Sequence, residues 1–100
     1  MLLGLATSAS AAPTTVIGDP LEAAKAAIRV KDYTRAIGVL TNLSGRGHAG
    51  GQYLLGTMHL AGLGTAQDPA QARQLFEAAA NTGDARAAYG LAALLATGET

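Results

Sequence analysis

The chain contains few side chains that could do chemistry, and their spacing favours structural roles. His48 and His59 are the only histidines, and their spacing is not the i, i+4 spacing by which two histidines of one helix bind a metal ion. A catalytic zinc ion needs three protein ligands, and the chain has no cysteine to supply one. The sequence therefore predicts no metal site and no cofactor.

Nucleophilic catalysis also lacks its usual partners. Thr41 and Ser44 lie near a predicted turn, without a base and an orienting acid close in sequence. Gly62-Leu63-Gly64 is not preceded by a strand or followed by the helix that a phosphate-binding loop requires. Four aspartates stand where helix N-caps belong, and their spacing is not that of a glycosidase carboxylate pair. These are Asp19, Asp32, Asp68 and Asp84. We therefore expect a protein that is not an enzyme.

The composition of the 100 residues predicts one domain and excludes some partners. Seven basic and seven acidic side chains balance, with no run of either sign. A nucleic-acid-binding protein needs a basic stripe that neutralises phosphates, so we expect no nucleic-acid partner. No stretch approaches the ~18 apolar residues of a membrane span.

Residues 1–12, MLLGLATSASAA, are typical of the end of a secretory signal peptide. A short apolar run comes first, and Ala9-Ser10-Ala11 then has the pattern of a cleavage site. No Lys or Arg precedes the apolar run, so the alternative is an apolar tail without a targeting role. We expect a leader remnant at 1–12, an extended lead-in at 13–18, and a periplasmic or secreted bacterial protein. Without a genuine leader, the location would be cytoplasmic.

Residues recur along the chain at an interval of 36 positions. The pairs are Asp32 and Asp68, Ala36 and Ala72, Gly47 and Gly83, Tyr53 and Tyr89, and Leu55 and Leu91. Repeats of this length are two-helix units that stack, because one unit cannot bury its own apolar face. The sequence therefore predicts about two and a half stacked units from residue 19 onward.

Helix signals agree with this interval. Asp19-Pro20-Leu21-Glu22 and Asp68-Pro69-Ala70-Gln71 each combine an N-cap, a proline at the first helical position and an acid or amide at the third. Gly47 and Gly83 stand just beyond predicted helix ends, where a positive φ is favoured. Gly56 and Ala72 are small where paired helices would cross, which allows a short distance between them. We predict helices at 20–30, 33–44, 49–61, 69–81 and 85–97.

These motifs resemble the Sel-like (Sel-one) repeat family, which is related to tetratricopeptide repeats. The resemblance covers about four-fifths of the chain and is strongest over residues 49–84. Its motifs are Leu55-Gly56, Gly62-Leu63-Gly64, Asp68, Ala72, Phe76, Ala78-Ala79 and Gly83. The copy that begins at Ala85 stops after its first helix and has Ala92 where the family prefers Gly. Residues 19–48 are more similar to a tetratricopeptide unit, because they lack the G-x-G motif.

The resemblance implies an all-α, right-handed α/α solenoid of stacked helical hairpins with five helices. Its concave face would hold a protein or peptide, so the implied function is that of a scaffold or adaptor. In such solenoids the first helix of each hairpin lines the groove. The matching positions are Leu21, Lys25, Ile28, Tyr53, Thr57, Leu60, Arg86, Tyr89 and Ala93. Lys25 and Arg86 could bind a carboxylate there. The alternative is that both tyrosines belong to the core and that both basic residues are solvated.

A second function follows from the same resemblance. Some Sel-like proteins act on cell-wall material or bind it, which implies peptidoglycan interaction or β-lactam hydrolysis as the alternative. The feature that would favour it is a nucleophile paired with a base, and this sequence offers none.

The last predicted helix, 85–97, has apolar residues on more than one face. Its sequence is ARAAYGLAALLAT, in which Arg86 is the only charged residue. A terminal helix of a solenoid needs a polar outer face for solubility. The explanations are a missing hairpin that would follow, self-association through this helix, or a docking partner. We favour the first, with a repeat domain at 19–100 that is incomplete at its C-terminus.

Overall fold

The computed structural model describes residues 19–98, which form five α-helices and no strand. The helices are α1 (Glu22–Arg29), α2 (Tyr33–Gly45), α3 (Ala49–Ala61), α4 (Pro69–Asn81) and α5 (Ala85–Thr97). The all-α prediction is therefore confirmed, and α3, α4 and α5 begin and end at the predicted residues. The expected leader remnant and lead-in lie outside the described residues.

Three aspartates cap helices as predicted. The side chain of Asp32 accepts a hydrogen bond from the N–H of Arg35 at 3.3 Å, and Asp68 accepts one from Gln71 at 3.1 Å. Pro69 then occupies the start of α4, where its missing N–H needs no partner. Asp84 caps α5 in the same way. These caps explain why the predicted starts of α2, α4 and α5 are correct.

The start of α1 differs from the prediction. Asp19 and Glu22 do not bond reciprocally, because the Asp19 carboxylate accepts from the N–H of Leu21 at 2.9 Å and Leu21 occupies the N-cap position. A turn closed by a hydrogen bond from the N–H of Glu22 to the carbonyl of Asp19 precedes the helix. This turn buries the Leu21 side chain in the core. The Glu22 carboxylate lies near Arg29 instead.

The cap of α3 is a histidine. Nδ1 of His48 accepts a hydrogen bond from the N–H of Gly51 at 3.0 Å. This role of His48 was not predicted, because imidazole is not among the usual N-cap side chains.

Three of the four connections share one backbone design. A residue with positive φ is followed at once by the N-cap residue of the next helix, whose N–H donates to the carbonyl five positions earlier. The residue pairs are Lys31 and Asp32, Gly47 and His48, and Gly83 and Asp84. The connection from α3 to α4 is longer and has positive φ at Gly62 and Gly64.

Among the five described helices, extensive packing joins only those that are consecutive in the chain: α1 with α2, α2 with α3, α3 with α4, and α4 with α5. The buried side chains form two clusters. The N-terminal core comprises Leu21, Ala24, Ala27, Ala36, Leu40, Leu43, Leu55, Met58 and Leu75. The C-terminal core comprises Ala72, Phe76, Ala79, Ala87 and Leu94. Because adjacent residues of α4 enter different clusters, α4 links the two cores.

The predicted close approach of α3 and α4 at Gly56 and Ala72 is confirmed. A Cβ atom added to Gly56 would lie 3.4 Å from the carbonyl oxygen of Ala72. Glycine at this position therefore lets the α3 backbone lie directly against α4.

The face of α5 that points away from α4 is apolar and exposed. Ala88, Ala92, Leu95 and Ala96 form this face, while Leu94 is buried against α4. The prediction of apolar residues on more than one face of this helix is confirmed. No helix of the described region is long and apolar enough to cross a bilayer.

Candidate partner-binding cleft

A cleft of about 530 Å³ lies between α3 and α5. It is lined by Tyr53, Thr57, Leu60, Gln67, Phe76, Arg86, Tyr89, Gly90, Ala93, Leu94 and Thr97. Six of the nine predicted groove residues therefore lie around one cavity, namely Tyr53, Thr57, Leu60, Arg86, Tyr89 and Ala93.

The packing on α4 explains why these residues meet. Helices α3 and α5 both lie against α4, so positions that correspond in the two helices face each other across it. Tyr53 and Tyr89 are one such pair, and Thr57 and Ala93 are the next, one helical turn further on. Phe76 of α4 lies at the base between them.

The Phe76 ring fits between two glycines. A Cβ atom on Gly56 of α3 would lie 2.7 Å from Cε1 of the ring, and one on Gly90 of α5 would lie 3.2 Å from Cε2. Each helix therefore approaches one edge of the ring where it has no side chain. The contact with Gly90 was not predicted, because no pattern in the sequence links Gly90 to α4.

Tyr53 belongs both to the cleft and to the core. Its ring centroid lies 5.7 Å from that of Phe76, with an angle of 31° between the planes, and the side chain packs against the C-terminal core. The alternative reading of the tyrosines as core residues therefore holds in part for Tyr53. It is wrong for Tyr89, which is 79% exposed.

Arg86 is held in place at one end of the cleft. Its Nη2 atom donates to Oδ2 of Asp84 at 3.0 Å, and Nε donates to Oδ1 at 3.3 Å. The guanidinium carbon lies 4.5 Å from the centroid of the Tyr53 ring, a cation–π distance. Arg86 is therefore not a freely solvated side chain.

The pair with Arg86 also changes the ionisation of both groups. The hydrogen bond from the Arg86 side chain, supported by the N–H groups of Ala87 and Arg86, lowers the pKa of Asp84. The hydrogen bond to Asp84 in turn raises the pKa of Arg86. The carboxylate therefore stays ionised into more acidic solution than a free aspartate does.

The groove positions predicted on α1 do not line this cleft. Leu21 is buried, and Ile28 packs against the N-terminal core. Lys25 lies 3.6 Å from the carboxylate of Asp19, whose pKa is lowered chiefly by the hydrogen bond from the N–H of Leu21. The groove prediction for Leu21 is wrong, because the turn before α1 directs this side chain inward. The structure does not bring Lys25 and Arg86 to one carboxylate site.

Several lining residues are absent from the sequence prediction. Leu94 and Thr97 extend the α5 wall beyond Tyr89 and Ala93, and helical spacing from Tyr89 could have indicated them. Gln67 lies in the connection between α3 and α4, where its Nε2 atom donates to the carbonyl of Leu60 at 2.9 Å. No periodic signal in the sequence could have placed this loop residue beside the cleft.

The histidines do not assemble a metal site within residues 19–98. His48 caps α3, and Nδ1 of His59 is buried without a hydrogen-bond partner in this part of the chain. Over the same residues, no group of three or more His, Cys, Asp or Glu side chains is close enough to hold an ion.

Similarity to known proteins does not supply a function. Comparisons of the chain with protein-family models, with curated proteins and with solved structures found no match.

Proposed function

We propose that this chain is a Sel-like repeat protein whose helices form a right-handed α/α solenoid, and that it serves as a non-catalytic scaffold. In this proposal a protein or peptide binds in the cleft between α3 and α5. Packing of each helix on its neighbours in sequence supports the solenoid. The shared backbone design of three connections supports it as well.

The main observation in favour of binding is the exposure of Tyr89 beside the cleft. Small-molecule and peptide sites are concave and mostly apolar, with a few fixed polar groups, and this cleft combines an apolar base with one held arginine. Tyrosine is enriched among the residues that dominate binding energy at interfaces. Tyr89 leaves most of its ring in solvent at the rim, so a partner could bury it without rearranging the fold.

The hydroxyl groups of the cleft support a non-catalytic function. Thr57 donates to the carbonyl of Leu54 at 2.7 Å, and Thr97 donates to that of Leu94 at 3.0 Å. A nucleophilic hydroxyl needs a base that accepts its proton, whereas these two protons are already directed at helix carbonyls.

A periplasmic or secreted bacterial location is part of the proposal. It rests on the apolar run and the Ala9-Ser10-Ala11 pattern within residues 1–12. Mass spectrometry of protein exported by bacteria would test it, because a genuine leader predicts a mature chain that begins just after this motif.

A selection of peptides tests the binding function. A phage-displayed library of random seven-residue peptides is selected on the unaltered protein, and the affinities of recovered peptides are measured by fluorescence anisotropy. We expect Tyr89→Ser to weaken their binding by about tenfold, as for a tyrosine that a partner buries at an interface. The matched control is Val30→Ser, since Val30 is 74% exposed and lies outside the cleft.

Equal affinities for the Tyr89→Ser and unaltered proteins would contradict the cleft as the binding site. Retention on purified peptidoglycan that is unaffected by Tyr89→Ser would instead favour the cell-wall alternative.

A further inference from the structure

We infer that the cleft between α3 and α5 binds an extended peptide segment that carries an acidic side chain and an aliphatic side chain two positions apart. This inference rests on the proposed peptide-binding function and adds the chemistry of the partner.

The charge of the cleft is the first observation. Among the residues of 19–98 that line the cleft, Arg86 is the only charged one. Its counter-ion, Asp84, has a side chain that is only 9% exposed, whereas the side chain of Arg86 is 56% exposed. A ligand that enters the cleft therefore meets the guanidinium group, while the carboxylate is shielded by protein. A negative group on the partner is complementary to this surface.

The geometry of Arg86 is the second observation. Nε and Nη2 are bonded to Asp84, and the guanidinium carbon lies over the Tyr53 ring. Nη1 makes no hydrogen bond to any other residue in the described part of the chain. Because the side chain is already fixed, a carboxylate that bonds to Nη1 does not have to immobilise a flexible arginine.

The surface beside Arg86 sets the spacing of the second group. Gly90 lies four residues further along α5, which is a rise of ~6 Å. Side chains at i and i+2 of an extended peptide point to the same side and lie ~6.6 Å apart. In the proposed complex the peptide runs along α5 with its acidic group at Arg86, and the side chain two positions away lies beside Gly90.

An aliphatic side chain suits that position. The exposed surface there is formed by Gly90 and Ala93, with Phe76 and Leu94 buried beneath it. Thr57, Gln67 and Thr97 of the lining already donate to backbone carbonyls, whereas an aliphatic side chain needs no hydrogen-bond partner when it loses solvent.

Three pools of seven-residue peptides with blocked termini test the inference. Their central residues are Glu-x-Leu, Gln-x-Leu and Glu-x-Ser, where x is a mixture of neutral residues. Each pool is titrated into ¹⁵N-labelled protein, and the shifts of the Gly90 amide and the Arg86 Nε–H group are followed. We expect the Glu-x-Leu pool to bind about three- to tenfold more tightly than either other pool, as for a partly exposed charged hydrogen bond.

Two further measurements test whether Arg86 causes the tighter binding of peptides that contain Glu. Arg86→Gln should remove it, whereas the control Arg29→Gln, on α1 and outside the cleft, should keep it. Raising the salt concentration to ~1 M should reduce it in the unaltered protein, since the Debye length then falls to ~3 Å. The salt measurement requires no substitution, so it remains decisive if Arg86→Gln disturbs folding.

Each negative result of the peptide titrations has a different meaning. If the Gln-x-Leu pool binds as tightly as the Glu-x-Leu pool, with shifts confined to the cleft, the acidic requirement is overturned and the proposed function stands. Equal binding of the Glu-x-Ser pool would overturn the aliphatic requirement in the same way. If no pool shifts either signal, the inference fails, and the peptides recovered from the random library decide whether the peptide-binding function fails as well.

Discussion

The ring of Phe76 occupies the space that a side chain at Gly56 would need. A Cβ atom on Gly56 would lie 2.7 Å from Cε1 and 2.9 Å from Cδ1 of the ring. The ring also contacts Gly90 and Tyr53 and is buried, so it has little room to move. This contact fixes the distance between α3 and α4, and α4 in turn supports both walls of the cleft.

Gly56→Ala should therefore destabilise the protein, although alanine is the better helix former. We expect the overpacking to lower the free energy of unfolding by about 1–3 kcal/mol. The matched control is Gly38→Ala in the middle of α2, where nothing lies within 4 Å of the added Cβ. That substitution should stabilise by roughly 0.5–1 kcal/mol. Urea denaturation measures both, and stabilisation by both substitutions would refute the tight contact.

The cap of α3 leads to a second prediction. His48→Ala removes the acceptor for the N–H of Gly51 and should lower the free energy of unfolding by about 1 kcal/mol. His48→Asn should keep most of the stability, because the asparagine side-chain oxygen can accept the same bond. Thermal unfolding of the two variants provides the comparison, and identical losses would show that the imidazole does not act as a cap.

The turn between α1 and α2 leads to a third prediction. Lys31 has a φ of 63°, the left-handed conformation that glycine adopts without steric penalty. Glycine relieves the strain of this conformation, but it also has more conformational freedom in the unfolded chain, which lowers stability. Because the first effect is larger, Lys31→Gly should raise the free energy of unfolding by about 0.5–1 kcal/mol.

Gly47 provides the reverse test, because it stands at the corresponding position of the next turn with a φ of 79°. Gly47→Ala should destabilise by about 1 kcal/mol. Chemical denaturation of both variants checks the pair, and a loss of stability in Lys31→Gly would contradict the argument.

The ion pair of Asp84 and Arg86 makes stability depend on pH. The pKa of Asp84 in the folded protein lies below its ordinary value of 3.8. The resulting stabilisation is fully present above that value and is lost as the pH falls through the lower, folded pKa. Asp84→Asn keeps an N-cap but removes the charge, so at pH 7 it should lower the free energy of unfolding by about 1 kcal/mol.

The difference between Asp84→Asn and the unaltered protein should shrink as solutions become more acidic than pH 3.8. Free energies of unfolding from urea titrations at pH 7 and at strongly acidic pH give the two values. A difference that stays constant over this range would show that the Asp84 charge does not contribute.

The sequence predicts the ends of α3, α4 and α5 because local chemistry determines them. Asp68 and Asp84 are cap residues, and Gly83 takes a positive φ that other residues adopt with strain. The same reasoning fails at Asp19, where burial of Leu21 in the core determines how the chain enters α1. Tertiary packing, which local patterns do not encode, overrides the cap signal there.

The cleft is predicted in part for a similar reason. Tyr53 and Tyr89 occupy corresponding positions of a repeat, so their placement on the two walls of the cleft follows from the repeat itself. The position of Gly90 against Phe76 and the support of Arg86 by Asp84 and Tyr53 depend on how α5 packs against α4 and α3. These relationships arise between helices and leave no periodic trace in the sequence.

Packing restricted to consecutive helices also determines how the described part of the chain folds and opens. No long loop has to close, so the contact order is low, and helical proteins of this kind fold in about microseconds to milliseconds. Within residues 19–98, helices α1 and α5 each have one extensively packed neighbour, so in this chain their amide hydrogens should exchange with solvent sooner than those of α3. Helix α5, which forms the cleft wall with Arg86 and Tyr89, would then detach before the centre of the molecule unfolds.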